Sequence, residues 1–147
     1  MLFDSLDMKL VSNIFTCRTL TVLKLKRLVI SKHIPQINNN TMSQLKTLHL
    51  DRINFNNHKQ IIDFLLSFPI LEELKTHSVK VYPLTELVPK TGDKIKCLPN
   101  LVIAKLSDSK AIPLFLLSKA QRLSIKLVRV CLIFQNKSQY DLIIDDF

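Results

Sequence analysis

A nine-residue unit, apolar-x-x-Leu-x-x-Leu-x-Leu, recurs along the chain and limits what it can fold into. One copy is Phe68-Pro69-Ile70-Leu71-Glu72-Glu73-Leu74-Lys75-Thr76, with Thr76 at the last Leu position. Further copies run over 17–25, 42–50, 98–106 and 117–125, and a degenerate sixth over 134–142 has Lys137 and Tyr140 in place of leucines. The first Leu of the unit falls at 20, 45, 71 and 101, and its place is taken by Ala120 and Lys137, so the steps are 25, 26, 30, 19 and 17 residues. The first two lie within the range of about 20–29 residues typical of leucine-rich repeats, and the others straddle it. The residues three before these positions, Cys17, Met42, Phe68, Leu98, Leu117 and Phe134, are all apolar. They were not used to set the register, so they support it independently.

The spacing has a direct physical meaning. Leu-x-Leu at period two is a short strand with one buried face. The preceding Leu and the apolar residue before it lead the chain around a corner into the same interior. One such turn cannot bury its apolar side alone, whereas stacked neighbours can. The expected fold is therefore α/β: an irregular leucine-rich-repeat solenoid, with a parallel sheet on one wall and short helices or loops on the other. It would form a single domain over 1–147, of five to six repeats.

Between the strands the segments differ. Residues 20–30 read as strand, and 31–41, polar and containing Pro35, as an irregular crossing. Asn57 is placed to cap a helix, with Gln60 three residues on, and Ile61, Phe64, Leu65 and Phe68 follow at helical spacing before Pro69. This predicts a helix over 57–67. Residues 80–97 read as the longest loop, 107–113 as a polar turn, and 113–119 as a short helix. Residues 1–9 and 143–147 are weak candidates for the polar caps that a repeat array needs.

Composition removes several classes of function. The single glycine, Gly92, disfavours phosphate-cradling loops, which need glycine for close backbone approach. Three cysteines without paired spacing do not make a disulfide framework, so a reducing compartment, cytoplasmic or nuclear, is expected. Residues 1–16 carry Asp4 and Asp7 and no long apolar core, so no signal peptide is expected. No run reaches the roughly 18 apolar residues of a membrane span. The sequons at Asn39 and Asn136 are read as chance matches for the same reason.

The sequence has none of the spacing motifs of a nucleophile elbow, a zincin, a P-loop or a redox Cys-x-x-Cys. Glu72 and Glu73 are adjacent on a strand, which separates their side chains, and Asp145-Asp146 read as a solvated pair. No enzymatic activity and no cofactor are expected. His33, His49, His58 and His77 supply no third metal ligand at fixed spacing; His49 and His77 fall on neighbouring strands, within reach of each other, and the histidines read as surface residues. Cys17 belongs to the apolar column, and neither Cys97 nor Cys131 lies at ligand spacing from a histidine.

The residues between the core leucines face outward. The first outward row reads Lys24, His49, Lys75, Lys105, Ser124, and the second Lys26, Asp51, His77, Ser107, Lys126. With parallel strands about 4.8 Å apart, these rows predict a partly basic stripe. Its candidate partner-binding residues are Lys24, Lys26, Lys46, His49, Lys75, His77, Lys105 and Arg122. The expected partner is a protein with an acidic surface or a small anionic ligand; a solvated wall that keeps the array soluble is the plainer alternative. The formal net charge of +9 also suggests nucleic acid, but the basic residues are dispersed and no aromatic stacking platform is interleaved with them.

Two stretches carry a family resemblance. Leu45-Lys46-Thr47-Leu48-His49-Leu50-Asp51-Arg52-Ile53-Asn54-Phe55, followed by Phe64-Leu65-Leu66-Ser67-Phe68-Pro69-Ile70-Leu71-Glu72-Glu73-Leu74, resembles the plant F-box/leucine-rich-repeat family. That family's Cys-Pro-x-Leu-Glu-x-Leu turn is matched with Phe68 at the cysteine. Ile14 to Leu20 and Ala120 to Ile125 are similar to its other repeats, so the likeness covers about 10–130. The resemblance implies substrate recognition for an SCF-type ubiquitin ligase. The family's N-terminal F-box and its FBD module are not visible, so the chain is expected to represent the repeat region alone, as a fragment or a decayed copy. An adaptor contact is expected only with an F-box upstream. A hormone-receptor-like array holding an anionic ligand is the alternative, and the small number of repeats counts against it.

Overall fold

The computed structural model describes residues 2–4, 14, 17–30, 44–81, 96–127, 130–135 and 139–143, with strand pairing alone for 2–4, 127, 130–135 and 139–143. The strands in chain order are β1 (Leu2–Asp4), β2 (Val22–Lys26), β3 (Val29–Ile30), β4 (Thr47–Asp51), β5 (Asn54–Phe55), β6 (Glu73–His77), β7 (Lys80–Val81), β8 (Ile103–Ser107), β9 (Arg122–Leu127), β10 (Val130–Gln135) and β11 (Gln139–Ile143). Helix α1 (His58–Leu66) lies between β5 and β6, and a 3-10 helix (Leu114–Leu117) between β8 and β9. The architecture is α/β, with a parallel sheet and few helices.

The large sheet has the order β1-β2-β4-β6-β8-β9-β10-β11. Pairing is parallel from β1 to β9 and antiparallel from β9 onward. Every Leu-x-Leu strand pairs with the next in the register the repeat requires: Leu23 with Leu48, Leu48 with Leu74, Leu74 with Ala104, and Ala104 with Leu123. Leu23, Leu25, Leu48, Leu50, Leu74, Ala104 and Leu106 are buried, as are Leu45, Leu71 and Leu101 before the strands. The buried apolar side chains form one cluster, from Ile14 to Ile125. Cys17, expected in this column, is only half-buried.

β2, β4, β6 and β8 are each followed by a residue with positive φ: Arg27 (53°), Arg52 (56°), Ser78 (52°) and Asp108 (48°). The left-handed conformation costs a non-glycine residue about 1–2 kcal/mol. Here it turns the chain by a corner, and the corner N–H still extends the ladder. Arg27 donates to Asp51 O at 2.9 Å, Arg52 to His77 O at 2.8 Å, Ser78 to Ser107 O at 2.9 Å and Asp108 to Lys126 O at 2.8 Å. Beyond the corner, β3, β5 and β7 form a second parallel sheet of two-residue strands. This splits the continuous strand expected over 20–30. Ile30, Phe55 and Val81 point inward. Ser109 terminates this sheet: its hydroxyl accepts the Val79 N–H at 3.3 Å and donates to Ser107 O at 2.9 Å.

Helix α1 forms as its sequence requires. Asn57 Oδ1 accepts the Gln60 N–H at 2.8 Å, and Gln60 Oε1 accepts the Asn56 N–H at 2.9 Å. Ile61, Phe64 and Leu65 are its buried face. Phe64 packs on Phe55 with ring centroids 5.6 Å apart and edge-on to Phe68 at 5.1 Å. The second expected helix, over 113–119, is a single 3-10 stretch, because the step of 19 residues there leaves little chain for a full α-helix.

The degenerate sixth unit does not add a parallel strand. Residues 134–142 span the β10–β11 connection, with Phe134 opposite Tyr140 and Gln135 opposite Gln139 in an antiparallel pair. β1, unanticipated in the sequence, pairs parallel with β2 through Phe3 and Leu25. The predicted crossing over 31–41 lies outside the described residues; the loop predicted over 80–97 begins instead with strand β7 (Lys80–Val81), and 82–95 lies outside the described residues.

Two substitutions should shift stability in opposite directions. Asn57→Ala removes the cap of α1 and should lower unfolding free energy by about 1 kcal/mol. Thr76 is buried in the Leu25–Leu50–Leu106 row with a hydroxyl that finds no hydrogen-bond partner. Thr76→Val removes that hydroxyl at nearly constant shape and should raise stability by about 1 kcal/mol. Urea denaturation of the two variants checks both signs.

Candidate functional site: the outer face of the parallel sheet

Strand alternation places seven of the eight candidate residues, all but Lys46, on the solvent side of the large sheet. Lys24, His49, Lys75, Lys105 and Ser124 stand as successive partners across β2, β4, β6, β8 and β9. Two residues further along, Lys26, Asp51, His77, Ser107 and Lys126 form a second row. Arg122 is the partner of Ile103 at the start of β9, and Lys46 precedes β4. Lys24, Lys46, His77, Lys105 and Arg122 are exposed, whereas Lys26, His49 and Lys75 are half-buried. Seven thus share one face by register, and Lys46, just before β4, is exposed and paired with Glu72. His49 is opposite Lys75 and His77 is opposite Asp51, so the two histidines are diagonal neighbours on adjacent strands.

The acids on this face are already engaged. Lys46 Nζ lies 3.1 Å from Glu72 Oε1, and Lys75 Nζ lies 2.6 Å from Glu73 Oε1. Asp51 is shared between Lys26 at 3.8 Å and Arg52 at 3.7 Å. Partly exposed pairs of this kind add about 0–1 kcal/mol each to stability. Their consequence is electrostatic: they cancel charge locally and leave other cations uncompensated. Lys24, Lys105 and Arg122 have no acidic side chain within ion-pair distance among the described residues.

The row also sets titration behaviour. Burial, then Lys75 and Lys24 on either side, holds His49 below the ordinary histidine value, and its Nε2 is enclosed without a hydrogen-bond partner. The hydrogen bond from Lys75 holds Glu73 below the ordinary carboxylate range. At Cys17, the hydroxyl of Thr19, 3.7 Å from Sγ, lowers the thiol's value. Cys17 and Cys97 are free thiols. Among the described residues no group of three or more His, Cys, Asp or Glu could hold a metal ion, and no helix is long and apolar enough to cross a membrane.

Sequence reasoning placed both outward rows but missed Arg52 and the apolar pair Val102–Ile103. Arg52 follows the corner rather than the period-two pattern. Val102 and Ile103 sit where alternation is interrupted at the start of β8. The signal for the latter is the absence of polar residues at positions where the other strands have Thr21, Lys46, Glu72 and Gln121.

Compared with protein-family models, with curated proteins and with solved structures, the chain matches none.

The direction of the His49 shift fixes a pH dependence. The unfolded chain takes up this proton near the ordinary value of about 6.5, and the folded chain only at lower pH. His49's contribution to stability is therefore complete above about pH 6.5 and declines as the pH falls through the folded value. Lys75→Met removes a neighbouring cation and releases Glu73, so the His49 value should rise. An NMR titration of the imidazole carbon-bound protons measures it; an unchanged value would show that the lysine row does not act on this ring.

Proposed function

We propose that the chain is a protein-recognition module: a leucine-rich-repeat solenoid whose basic sheet face captures an acidic protein surface. Its nearest likeness in wording is the substrate-binding repeat region of plant F-box proteins in SCF-type ubiquitin ligases. On this reading the chain carries no catalysis. It supplies the contact, in the cytoplasm or nucleus, and any ligase chemistry sits on other subunits.

The observation that carries the reading is the row Lys24–His49–Lys75–Lys105, held in register across four strands on the solvent side. Among the described residues Lys24 and Lys105 have no acidic partner within ion-pair distance. Fixed spacing matters because the strands are already ordered, so a partner gains electrostatic contact without ordering the backbone that presents it.

The test is a Lys24→Gln/Lys75→Gln/Lys105→Gln variant, titrated against a fluorescein-labelled oligoglutamate peptide over a salt series. Capture should weaken by about tenfold, and its salt dependence should flatten, since fewer charges then contribute to the attraction. Equal affinity of variant and wild type at every salt concentration would remove the reading.

A further inference from the structure

We infer that the partner segment is acidic and carries one apolar side chain, which seats on Val102 and Ile103 beside Lys105 and Arg122. The inference rests on the recognition reading of this face and specifies the chemistry of what binds there. The starting point is a departure from alternation. Glu72 O accepts both the Val102 N–H, at 2.8 Å, and the Ile103 N–H, at 3.0 Å. Two residues of β8's start therefore oppose one residue of the neighbouring segment, as in a β-bulge. Val102 is 38% exposed and Ile103 half-buried. A single exposed valine needs no explanation. Two consecutive apolar residues are different here, because the equivalent pairs are Thr21-Val22, Lys46-Thr47, Glu72-Glu73 and Gln121-Arg122. Among the described residues, β8 alone presents an apolar pair at this level of the face.

The charge around the pair is arranged on one side. Glu73 is the cross-strand partner of Ile103 toward β6, but Lys75 holds its carboxylate and Lys46 holds that of Glu72. Toward β9, Arg122 is the cross-strand partner of Ile103, and Lys105 stands two residues along β8 on the same face. Neither cation has an acidic side chain within ion-pair distance among the described residues. Ile103 and Lys105 are separated by about 6.6 Å along the strand, the same interval that separates alternate side chains of any extended peptide. An extended segment with an apolar residue and a carboxylate two positions away matches both contacts at once. A second carboxylate reaches Arg122, about 4.8 Å across the sheet. A basic segment meets uncompensated Lys105 and Arg122, while the neighbouring acids are occupied, so it is excluded by the same arrangement.

Fluorescence anisotropy with two labelled probes tests this: an oligoglutamate peptide, and the same peptide with one central glutamate replaced by leucine. The wild-type chain should bind the leucine probe about fivefold more tightly, despite its lost charge, through partial burial of the side chain. A Val102→Asn/Ile103→Thr variant should lose that preference and keep its oligoglutamate affinity, which also shows that it folds. If this variant binds neither probe, Val102→Asn alone, at the exposed position, must reduce the preference. Lys105→Gln should weaken both probes and leave the preference intact. Equal binding of the two probes by wild type overturns the apolar seat but leaves the basic-row reading standing. Absence of binding by either probe overturns both, and a leucine preference that survives at Val102→Asn/Ile103→Thr overturns the assignment to these residues.

Discussion

The structure depends on how each strand is pinned to the next at both ends. At the start, one carbonyl accepts two consecutive N–H groups from the following unit. Thr21 O takes Lys46 and Thr47, Lys46 O takes Glu72 and Glu73, Glu72 O takes Val102 and Ile103, and Val102 O takes Gln121 and Arg122. At the other end the left-handed corner residue donates to the neighbour's last strand carbonyl. A slip by one residue would break both contacts and turn every core leucine to solvent. The conformational cost of each corner, about 1–2 kcal/mol, is comparable to the net worth of about 0.5–1.5 kcal/mol of the hydrogen bond it preserves. The corners therefore tolerate Arg, Ser and Asp in a chain whose only glycine lies elsewhere.

Once register is fixed, step length decides the crossings. The step of 26 residues from Leu45 to Leu71 accommodates a nine-residue α1, which rises about 13 Å, and the interior behind it is filled by Phe55, Phe64 and Phe68. The step of 19 residues to Ala120 provides less chain. Its four-residue 3-10 helix rises about 8 Å, at about 2.0 Å per residue, so it extends further per residue than an α-helix would. Leu116 O then accepts the Leu98 N–H at 2.9 Å, and Asn100 Nδ2 donates to Pro69 O at 2.9 Å, tying the short crossing to its neighbour. Irregular spacing is thus absorbed outside the large sheet, which keeps its outer face regular.

The large sheet was legible because its signal is long-range and redundant. Leucines recur at matching positions in five units, and the outward rows follow from period two alone. Helix α1 was legible from Asn57, Gln60 and its apolar spacing. The small sheet was not, since two-residue strands such as Val29–Ile30 are too short to show alternation, and corners without glycine carry no turn signature. The C-terminal hairpin was misread as a degenerate unit because Phe134 and Leu142 happen to preserve the apolar ends of the pattern. An antiparallel return needs only a short connection, whereas another parallel strand needs a full crossing. Of the candidate site, the cation row was readable, but its electrostatics were not: which lysines Glu72 and Glu73 neutralise is settled by side-chain geometry.

That geometry changes the meaning of the net charge of +9. Spread evenly, such an excess would act mainly as a diffuse attraction screened beyond about 8–10 Å at ordinary ionic strength. Among the residues whose side chains are described, the acids on this face are clustered at the start of β6 and at Asp51, each with a lysine or arginine in contact. Cancellation is therefore local, and the uncompensated cations fall at Lys24 on one flank and at Lys105 and Arg122 on the other. The latter pair adjoins the one apolar patch at the strand starts. Charge there steers an approaching segment, and the adjacent apolar surface retains it by a contact that salt does not screen. The regular register converts a dispersed lysine content into a face with a defined direction, and the apolar pair Val102–Ile103, at a strand start built like those of β4, β6 and β9, sets one position apart from the polar starts beside it.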